Sequence, residues 1–365
     1  MFHMRLAASF FKLLCLLVLA AFFVAFTIYI RPSCDANCWQ NSALKARWIS
    51  KIPKNKLVTY FEAFDSIIFP RWNGFFGPYF NRPLVDRKRK LLFCWLQKNG
   101  CTQIKAMFRR QQTNYNGTEG LTQKDHNLVH KVPKRGQPDL EYYREESHSF
   151  IWDDTKWHRW SLLRDPFERF VSGWVDKCFH FADKYEPLFR VAYPNFEFSK
   201  VCFGCKKNLT CFVSKLQYHL RSITGNPAYS ITWNVDHFFP QYWSCMFGNH
   251  FDRYTQIFNM SHSGFKKTIQ QAFLEIGWPR DQVLSGWGFD RNQSIYNQKP
   301  LHAAVAEDLE PIWAAIKTDI FMTDTIFRAY FIDYIAFQFP LPRWVENLCN
   351  DVKNEMYFVC KWLNE

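Results

Sequence analysis

Hydrophobic and polar positions follow three different patterns along the chain, and each pattern predicts a different kind of element. Leu13–Ile30 is a run of eighteen residues without a charge, which is about the length that crosses a bilayer as a helix. Leu91–Leu96 is a short apolar run of the kind buried in a parallel sheet. Gln103–Arg110 has its apolar residues on one helical face. Together the last two predict a strand, a tight turn and a helix.

The same patterns predict further elements along the chain. Trp157–Leu163 is a second strand candidate, and Asp165-Pro166 after it starts a helix that runs to about Phe181. Helical periodicity also covers residues 213–223, 264–276, 301–321 and 324–339. Strand-loop-helix units of this kind predict an α/β fold, a central parallel sheet flanked by helices.

The charges around Leu13–Ile30 predict its orientation. Arg5, Lys12 and the α-amino group precede the run and Arg31 stands alone after it, so the positive-inside rule favours a cytosolic amino terminus. A cleaved signal peptide would have a shorter apolar core and a small-residue cleavage site. We therefore predict a single-pass type II protein, with residues 1–12 in the cytosol, residues 13–30 as a transmembrane signal anchor and the remainder in the lumen.

The sequons and the cysteines are consistent with a lumenal location of the chain after the predicted anchor. Four sequons follow the predicted anchor, at Asn116, Asn208, Asn259 and Asn292. Eleven of the twelve cysteines also follow it, as expected in an oxidising compartment, and an odd number leaves at least one thiol free or paired between chains. Three groups are close enough to pair locally: Cys34/Cys38, Cys202/Cys205/Cys211 and Cys349/Cys360. A zinc site at the middle group is the alternative, although it lacks a clear fourth ligand.

The positive charge is concentrated in one part of the chain. Of a formal net charge of +13, the stretch from Arg82 to Arg135 contributes +10, with thirteen Lys/Arg against three Asp/Glu. Such a region suits an anionic cofactor or an acidic polysaccharide. Nucleic acid is the other usual partner of a basic region, and the lumenal topology argues against it.

The predicted turn contains the residues Lys98, Asn99, Gly100, Cys101 and Thr102. A helix that starts there points free N–H groups and its positive dipole end at the turn, and with Lys98 these make a phosphate cradle. A nucleotide triphosphatase loop has its lysine after the glycines, whereas Lys98 precedes Gly100. The order Lys-x-Gly-x-Thr resembles the 5′-phosphosulfate-binding loop of Golgi carbohydrate sulfotransferases of the chondroitin and dermatan type, in which proline usually stands at the position of Gln97.

A second motif follows the second strand and reads Arg164-Asp-Pro-Phe-Glu-Arg-Phe-Val-Ser172. Arginine offers a planar fork of donors and serine a hydroxyl, so Arg164 and Ser172 can both reach one phosphate. The stretch resembles the 3′-phosphate-binding motif of the same family, Arg-Asp-Pro-x-x-Arg-x-x-Ser. The two motifs stand in the family's order, and the resemblance extends over about residues 88–338.

Two later stretches also resemble the family. His237-Phe-Phe-Pro-Gln241 followed by Cys245 resembles its His-x-x-Pro-Gln stretch, which implies a strand at Tyr254–Phe258. Ile326–Phe337 resembles its closing helix, and the aromatic stripe there is expected to be core. We therefore predict a stem and packing segment at 31–80, a catalytic domain at 81–340 with a P-loop-like strand-loop-helix, and an extension at 341–365.

The resemblance implies a donor, 3′-phosphoadenosine 5′-phosphosulfate, and no metal. It implies that Lys98 stabilises the charge of the transferred group with the help of residues 99–102, and that Arg164 and Ser172 hold the 3′-phosphate. It also implies a Golgi membrane address and an acceptor that is a glycosaminoglycan or an N-glycan. The lipid bilayer, through residues 13–30, is the second expected partner; nucleic acid is not expected, and self-association is left open.

A base must take the proton of the acceptor hydroxyl, and histidine suits that task because it titrates near neutrality. His148 lies between the two motifs, in an interval where related uronyl 2-O-sulfotransferases have their base. His237 is the rival, and Glu145 and Glu146 stay open because other carbohydrate sulfotransferases use glutamate. The competing function class is a catalytically inactive lumenal module of the same fold that binds glycans. A lumenal kinase would need a glycine-rich loop and spaced metal-binding carboxylates, and the sequence has neither.

Overall fold

The computed structural model describes residues 83–112, 142–143, 148–180, 198–225, 235–286, 306–352 and 356–364. The predicted anchor at 13–30, the predicted stem at 31–80, the residues Glu145 and Glu146, and the sequons Asn116 and Asn292 lie outside these ranges. Within them, none of the helices combines the length and the apolar content that a bilayer span requires.

Four short strands form the sheet, in the order β1 (Leu84–Asp86), β2 (Leu91–Cys94), β3 (His158–Leu163) and β4 (Gln256–Asn259). β2, β3 and β4 are parallel, which confirms the three predicted strands and the α/β class. β1 runs antiparallel to β2, so the sheet is mixed and not wholly parallel as predicted. The sequence does not predict β1, because three residues are too few to show a period of two. An antiparallel edge strand on a parallel sheet is a common arrangement.

The described ranges contain helices that surround this sheet: α1 (Cys101–Gln112), α2 (Pro166–Trp174), α3 (Leu209–Gly225), α4 (Phe247–His250), α5 (Phe265–Glu275), α6 (Arg280–Gly286), α7 (Ala306–Thr318), α8 (Ile320–Phe337), α9 (Arg343–Val352) and α10 (Phe358–Asn364). The long predicted helices all appear within the described ranges, with ends that differ by a few residues, and the predicted start at 301–305 lies outside those ranges. The helix after Asp165 ends its α-helical part at Trp174 and continues as a π-helical turn, Val175–Phe179.

The two faces of the sheet are buried against different clusters. Successive residues of a strand point to opposite faces, and Leu92 and Phe93 accordingly belong to separate clusters. Phe93 packs with Phe108 of α1 and Phe273 of α5. Each fully buried side chain of this size contributes about 2–3 kcal/mol through the hydrophobic effect, so these clusters hold β2 and α1 firmly on either side of the turn that carries Lys98.

Helix α8 confirms the predicted core role of its aromatic stripe. Tyr330 and Phe331 are each 1% exposed. The Tyr330 hydroxyl donates to the carbonyl oxygen of Phe238 at 2.9 Å. The two carboxylate oxygens of Asp333 accept the backbone N–H groups of Gln241 and Tyr242 at 2.8 and 2.9 Å. Helix α8 therefore fixes the segment that runs from Phe238 to Tyr242.

Four disulfides join the described cysteines: Cys94–Cys245, Cys178–Cys202, Cys205–Cys211 and Cys349–Cys360. The local pair at the carboxyl end confirms the prediction for Cys349 and Cys360. The middle group pairs only in part internally, because Cys202 bonds to Cys178. All three of its thiols are used, so the zinc alternative there is wrong. Cys101 is the free thiol in the described part of the chain.

Candidate active site

The turn after β2 has a backbone that only a few residue types adopt easily. Lys98 and Gly100 have φ angles of +68° and +72°. Glycine reaches this left-handed region without cost, whereas for lysine it is strained by about 1 kcal/mol or more, a feature concentrated at functional sites. Helix α1 then starts at Cys101, and the Ile104 N–H donates to the Gly100 carbonyl at 3.2 Å. The positive end of the α1 dipole thus faces the turn, next to Lys98.

Asn99 and Gln241 connect this turn to the end of β3. Asn99 is 1% exposed, and its Nδ2 donates to the Leu162 carbonyl at 2.9 Å and to Gln241 Oε1 at 2.7 Å. Gln241 in turn accepts the Arg164 N–H at 3.0 Å and donates from Nε2 to the Arg164 carbonyl at 2.8 Å. One buried glutamine therefore binds both predicted phosphate corners, and the Asn99 side chain serves this connection.

Arg164 lies at the carboxyl end of β3, beside the turn. Its Nη1 is 3.4 Å from the Lys98 carbonyl oxygen, and its Nε donates to Glu168 Oε2 at 3.2 Å. The side chain is 28% exposed, so the guanidinium reaches the surface of the site. Because parallel strands end at the same edge of a sheet, Lys98 and Arg164 occupy one site.

Helix α2 begins directly after Arg164, as the sequence predicts. Asp165 caps it by accepting the Glu168 N–H at 3.0 Å, and Pro166 is its first residue. Ser172 lies two turns along, partly buried, and within the described residues no hydrogen bond links its side chain to Lys98 or Arg164. Arg169, the second arginine of the motif, is 1% exposed and donates to the carbonyls of Gln97 and Phe239 at 3.0 and 2.6 Å. It has a structural task.

The Lys98 side chain is mostly buried and points to the π-helical turn. Its Nζ donates to Asp176 Oδ2 at 3.0 Å, and Lys177 Nζ is 3.0 Å from the same oxygen. Burial lowers the pKa of Lys98 most, the Lys177 charge lowers it further, and the Asp176 carboxylate opposes both. Sequence reasoning missed Asp176 and Lys177.

His237 lies next to Asp236, which contacts Gln97 just ahead of the turn. Its Nδ1 is 2.7 Å from Asp236 Oδ1, and the second oxygen of Asp236 accepts Gln97 Nε2 at 3.1 Å. Burial lowers the pKa of His237 most, Asp236 raises it, and the charges of Lys177 and Lys98 lower it. A neutral imidazole whose Nδ1–H donates to a carboxylate has Nε2 available to accept a proton. The structure therefore brings His237 into the Lys98 site.

The whole of this arrangement falls within a stretch that matches a known family, since the profile of the sulfotransferase family covers residues 81–340. The chain belongs to the sulfotransferase family. Two named relatives are the carbohydrate sulfotransferase chst-1 of Caenorhabditis elegans, 25% identical over 182 residues, and the human carbohydrate sulfotransferase 10, 32% identical over 111 residues. The first match covers 49% of this chain and 51% of the relative, and the second covers 30% and 29%.

The matches cover only part of each relative. The chain spans 49%, 63% and 51% of the length of three curated relatives from Caenorhabditis elegans. No solved structure matches the chain.

His148 is placed elsewhere than His237. It is 3% exposed, its Nε2 is 2.9 Å from Arg87 Nη2, and its ring packs against Tyr143. Arg87 follows β1, whose last residue Asp86 pairs with Leu91 at the start of β2. His148 therefore lies towards the amino end of β2, while Lys98 follows its carboxyl end. Its contacts with Arg87 and Tyr143 therefore lie at the end of β2 opposite the Lys98 turn.

The first turn of α1 contains the remaining predicted residues. Cys101 and Thr102 are partly buried there, after Gly100. Lys105, which the sequence did not single out, is buried with its Nζ 3.3 Å from the centre of the Trp95 ring. Burial lowers the pKa of Lys105 to about 8. The site thus contains a third lysine, which is buried, beside the partly buried Lys98 and Lys177.

Proposed function

We propose that this chain is a type II membrane sulfotransferase of the Golgi that transfers the sulfuryl group of 3′-phosphoadenosine 5′-phosphosulfate to a sugar hydroxyl of a glycan or proteoglycan. The observation that carries the proposal is the 3.4 Å contact between Arg164 Nη1 and the Lys98 carbonyl oxygen. The donor has its phosphosulfate and its 3′-phosphate on one nucleoside, so two cationic corners at one sheet edge suit it. The named carbohydrate sulfotransferases among the relatives support a glycan acceptor.

Each residue of the site has a task in this reaction. The acceptor oxygen forms a bond to sulfur while the bond from sulfur to the phosphate oxygen breaks in line, and adenosine 3′,5′-bisphosphate leaves. Lys98, the N–H groups at the start of α1 and the Thr102 hydroxyl stabilise the charge on the leaving phosphate and the sulfuryl oxygens. Arg164 and Ser172 hold the 3′-phosphate and orient the donor. His237 accepts the acceptor proton at Nε2, and Asp236 holds its ring.

The test is a transfer assay on the purified full-length protein in detergent, with radiolabelled donor and a panel of desulfated chondroitin, dermatan, heparan and N-glycan acceptors. We expect the parent protein to transfer label to at least one acceptor. The Lys98→Ala variant should transfer label to none of them. Glycan binding without transfer would favour the inactive lumenal binding module, which no observation on the described residues supports. Sensitivity of the sequons to a glycosidase tests the lumenal topology.

A further inference from the structure

Asp176 lies between two lysines beside the turn that contains Lys98. The same oxygen, Oδ2, accepts from Lys98 Nζ and from Lys177 Nζ, each at 3.0 Å. The Asp176 side chain is 5% exposed, and the side chains of Lys98 and Lys177 are 11% and 16% exposed. Hydrogen-bonded charges interact more strongly in such a place than in water. One carboxylate therefore balances two ammonium groups, which leaves this group of three with a net charge of +1.

The backbone holds Asp176 rigidly relative to the other phosphate corner. Helix α2 begins next to Arg164 and continues without interruption into the π-helical turn Val175–Phe179, which contains Asp176. Such turns are rare and occur frequently at functional sites. Cys178, in the same turn, is bonded to Cys202, which fixes the turn to the next segment of the chain. Asp176 and Lys177 thus have a fixed support, unlike a pair of surface charges.

We propose that Asp176 is a positioning residue for sulfuryl transfer, which keeps the Lys98 ammonium charged and oriented, and that Lys177 stays on the carboxylate when Lys98 binds the donor. Lysine has three N–H donors, so Lys98 can keep one bond to Asp176 and direct the others to an anion. This inference rests on the proposed function, which gives Lys98 its task.

The charges around Lys98 give the two neighbours opposite effects. Asp176 favours the charged form of Lys98, and Lys177 disfavours it. Among the described residues, the other titratable or charged groups that face Lys98 are Cys101 of α1 and His237 of the segment 235–238, and Arg164 contacts its carbonyl oxygen. Asp176→Asn should therefore lower the pKa of Lys98 and Lys177→Gln should raise it. A role limited to packing would not produce shifts of opposite sign.

The direct measurement needs no donor. Lysines of the full-length protein in detergent are dimethylated with isotope-labelled formaldehyde, and their NMR signals are followed against pH, with Lys98→Arg to assign the Lys98 signal. We expect the Lys98 midpoint to fall by roughly one pH unit or more in Asp176→Asn and to rise in Lys177→Gln. Midpoints that stay at the parent value in both variants would overturn the proposal. If Asp176→Asn does not fold, Lys177→Gln alone decides.

The functional measurement is the pH profile of transfer. Lys98 is charged below its pKa, so activity that needs the charge is lost as the pH rises through that pKa. We expect the alkaline limb of kcat/KM to move to lower pH in Asp176→Asn and to higher pH in Lys177→Gln, and to stay unchanged in the control Asp319→Asn, which keeps the cap of α8. Unmoved limbs in both variants would contradict the proposal. If the parent shows no transfer, the proposed function fails, and the NMR midpoints still decide whether Asp176 keeps Lys98 charged.

Discussion

The Nδ2 of Asn99, in the turn after β2, lies 2.7 Å from Gln241 Oε1, inside the protein and 142 positions away along the chain. Through Gln241 the same contact extends to both backbone groups of Arg164. One buried amide side chain therefore contributes to the relative position of the two predicted phosphate corners, together with the contact between Arg164 Nη1 and the Lys98 carbonyl oxygen.

Gln241→Ala removes this connection and leaves the Asn99 amide and the Arg164 backbone groups without one of their partners. Buried polar groups without partners cost about 1–3 kcal/mol each, and we expect the free energy of unfolding to fall by about 2–4 kcal/mol. Urea unfolding measures the loss, and calorimetry should show weaker binding of adenosine 3′,5′-bisphosphate. The control is Gln271→Ala on the exposed side of α5, which should stay within about 0.5 kcal/mol of the parent.

Lys98→Ala and Arg164→Ala should each lower transfer strongly and leave a folded protein. For Lys98 we expect a loss of about 100–1,000-fold in rate, the typical cost of removing one group that stabilises transition-state charge. We expect the Arg164 variant also to lose the rise in melting temperature that adenosine 3′,5′-bisphosphate gives the parent. Lys266→Ala and Arg253→Ala, two exposed cations, are the matched controls. Near-normal turnover in either site variant would refute the site.

The two histidines can be separated by their variants. His237→Ala should lower kcat by a factor of about 100 or more, because a positioned base contributes about 100–10,000-fold, whereas His148→Gln should keep transfer near the parent rate. The pKa of His237 is lowered, and the base must be neutral, so the acid limb of the profile should lie below the usual pKa of histidine. A normal rate in His237→Ala with a large loss in His148→Gln would reverse the assignment.

The disulfide Cys94–Cys245 should stabilise the protein more than the local ones. It closes a loop of 151 positions, and Cys205–Cys211 closes one of 6. Loop entropy in the unfolded chain assigns them about 5 and about 2.4 kcal/mol. Thermal melts of the two double Cys→Ser variants should therefore show the larger fall for the first pair. Equal falls would contradict the entropic account.

Features formed by residues close together along the chain could be predicted from the sequence, and features formed by distant residues could not. The strand at Leu91–Cys94, the turn and α1 follow from an apolar run, a glycine and a helical period within twenty residues. Cys349 and Cys360, eleven positions apart, were paired correctly. The bond from Cys94 to Cys245 and the contact from Asn99 to Gln241 leave no local pattern, because the fold alone brings those residues together.

Asp176 escaped prediction for a different physical reason. A regular α-helix assigns each residue to a face by its period, and the π-helical turn at Val175–Phe179 changes that period. The side chains after Trp174 therefore point in directions that differ from those predicted by a regular α-helical period. The spacing of His148 and His237 along the chain leaves both as candidates for the base. Only the contacts of His148 with Arg87 and of His237 with Asp236 distinguish them.

The bond between Cys94 and Cys245 also governs how the protein must be made. It joins the end of β2, ahead of the turn that contains Lys98, to the segment that supplies His237 and Gln241. In a host that keeps thiols reduced, these two parts of the site would be held together by non-covalent contacts alone. The protein should therefore be produced in a secretory host or refolded in a glutathione buffer. Only for protein with this disulfide formed would the absence of transfer argue against the proposed function.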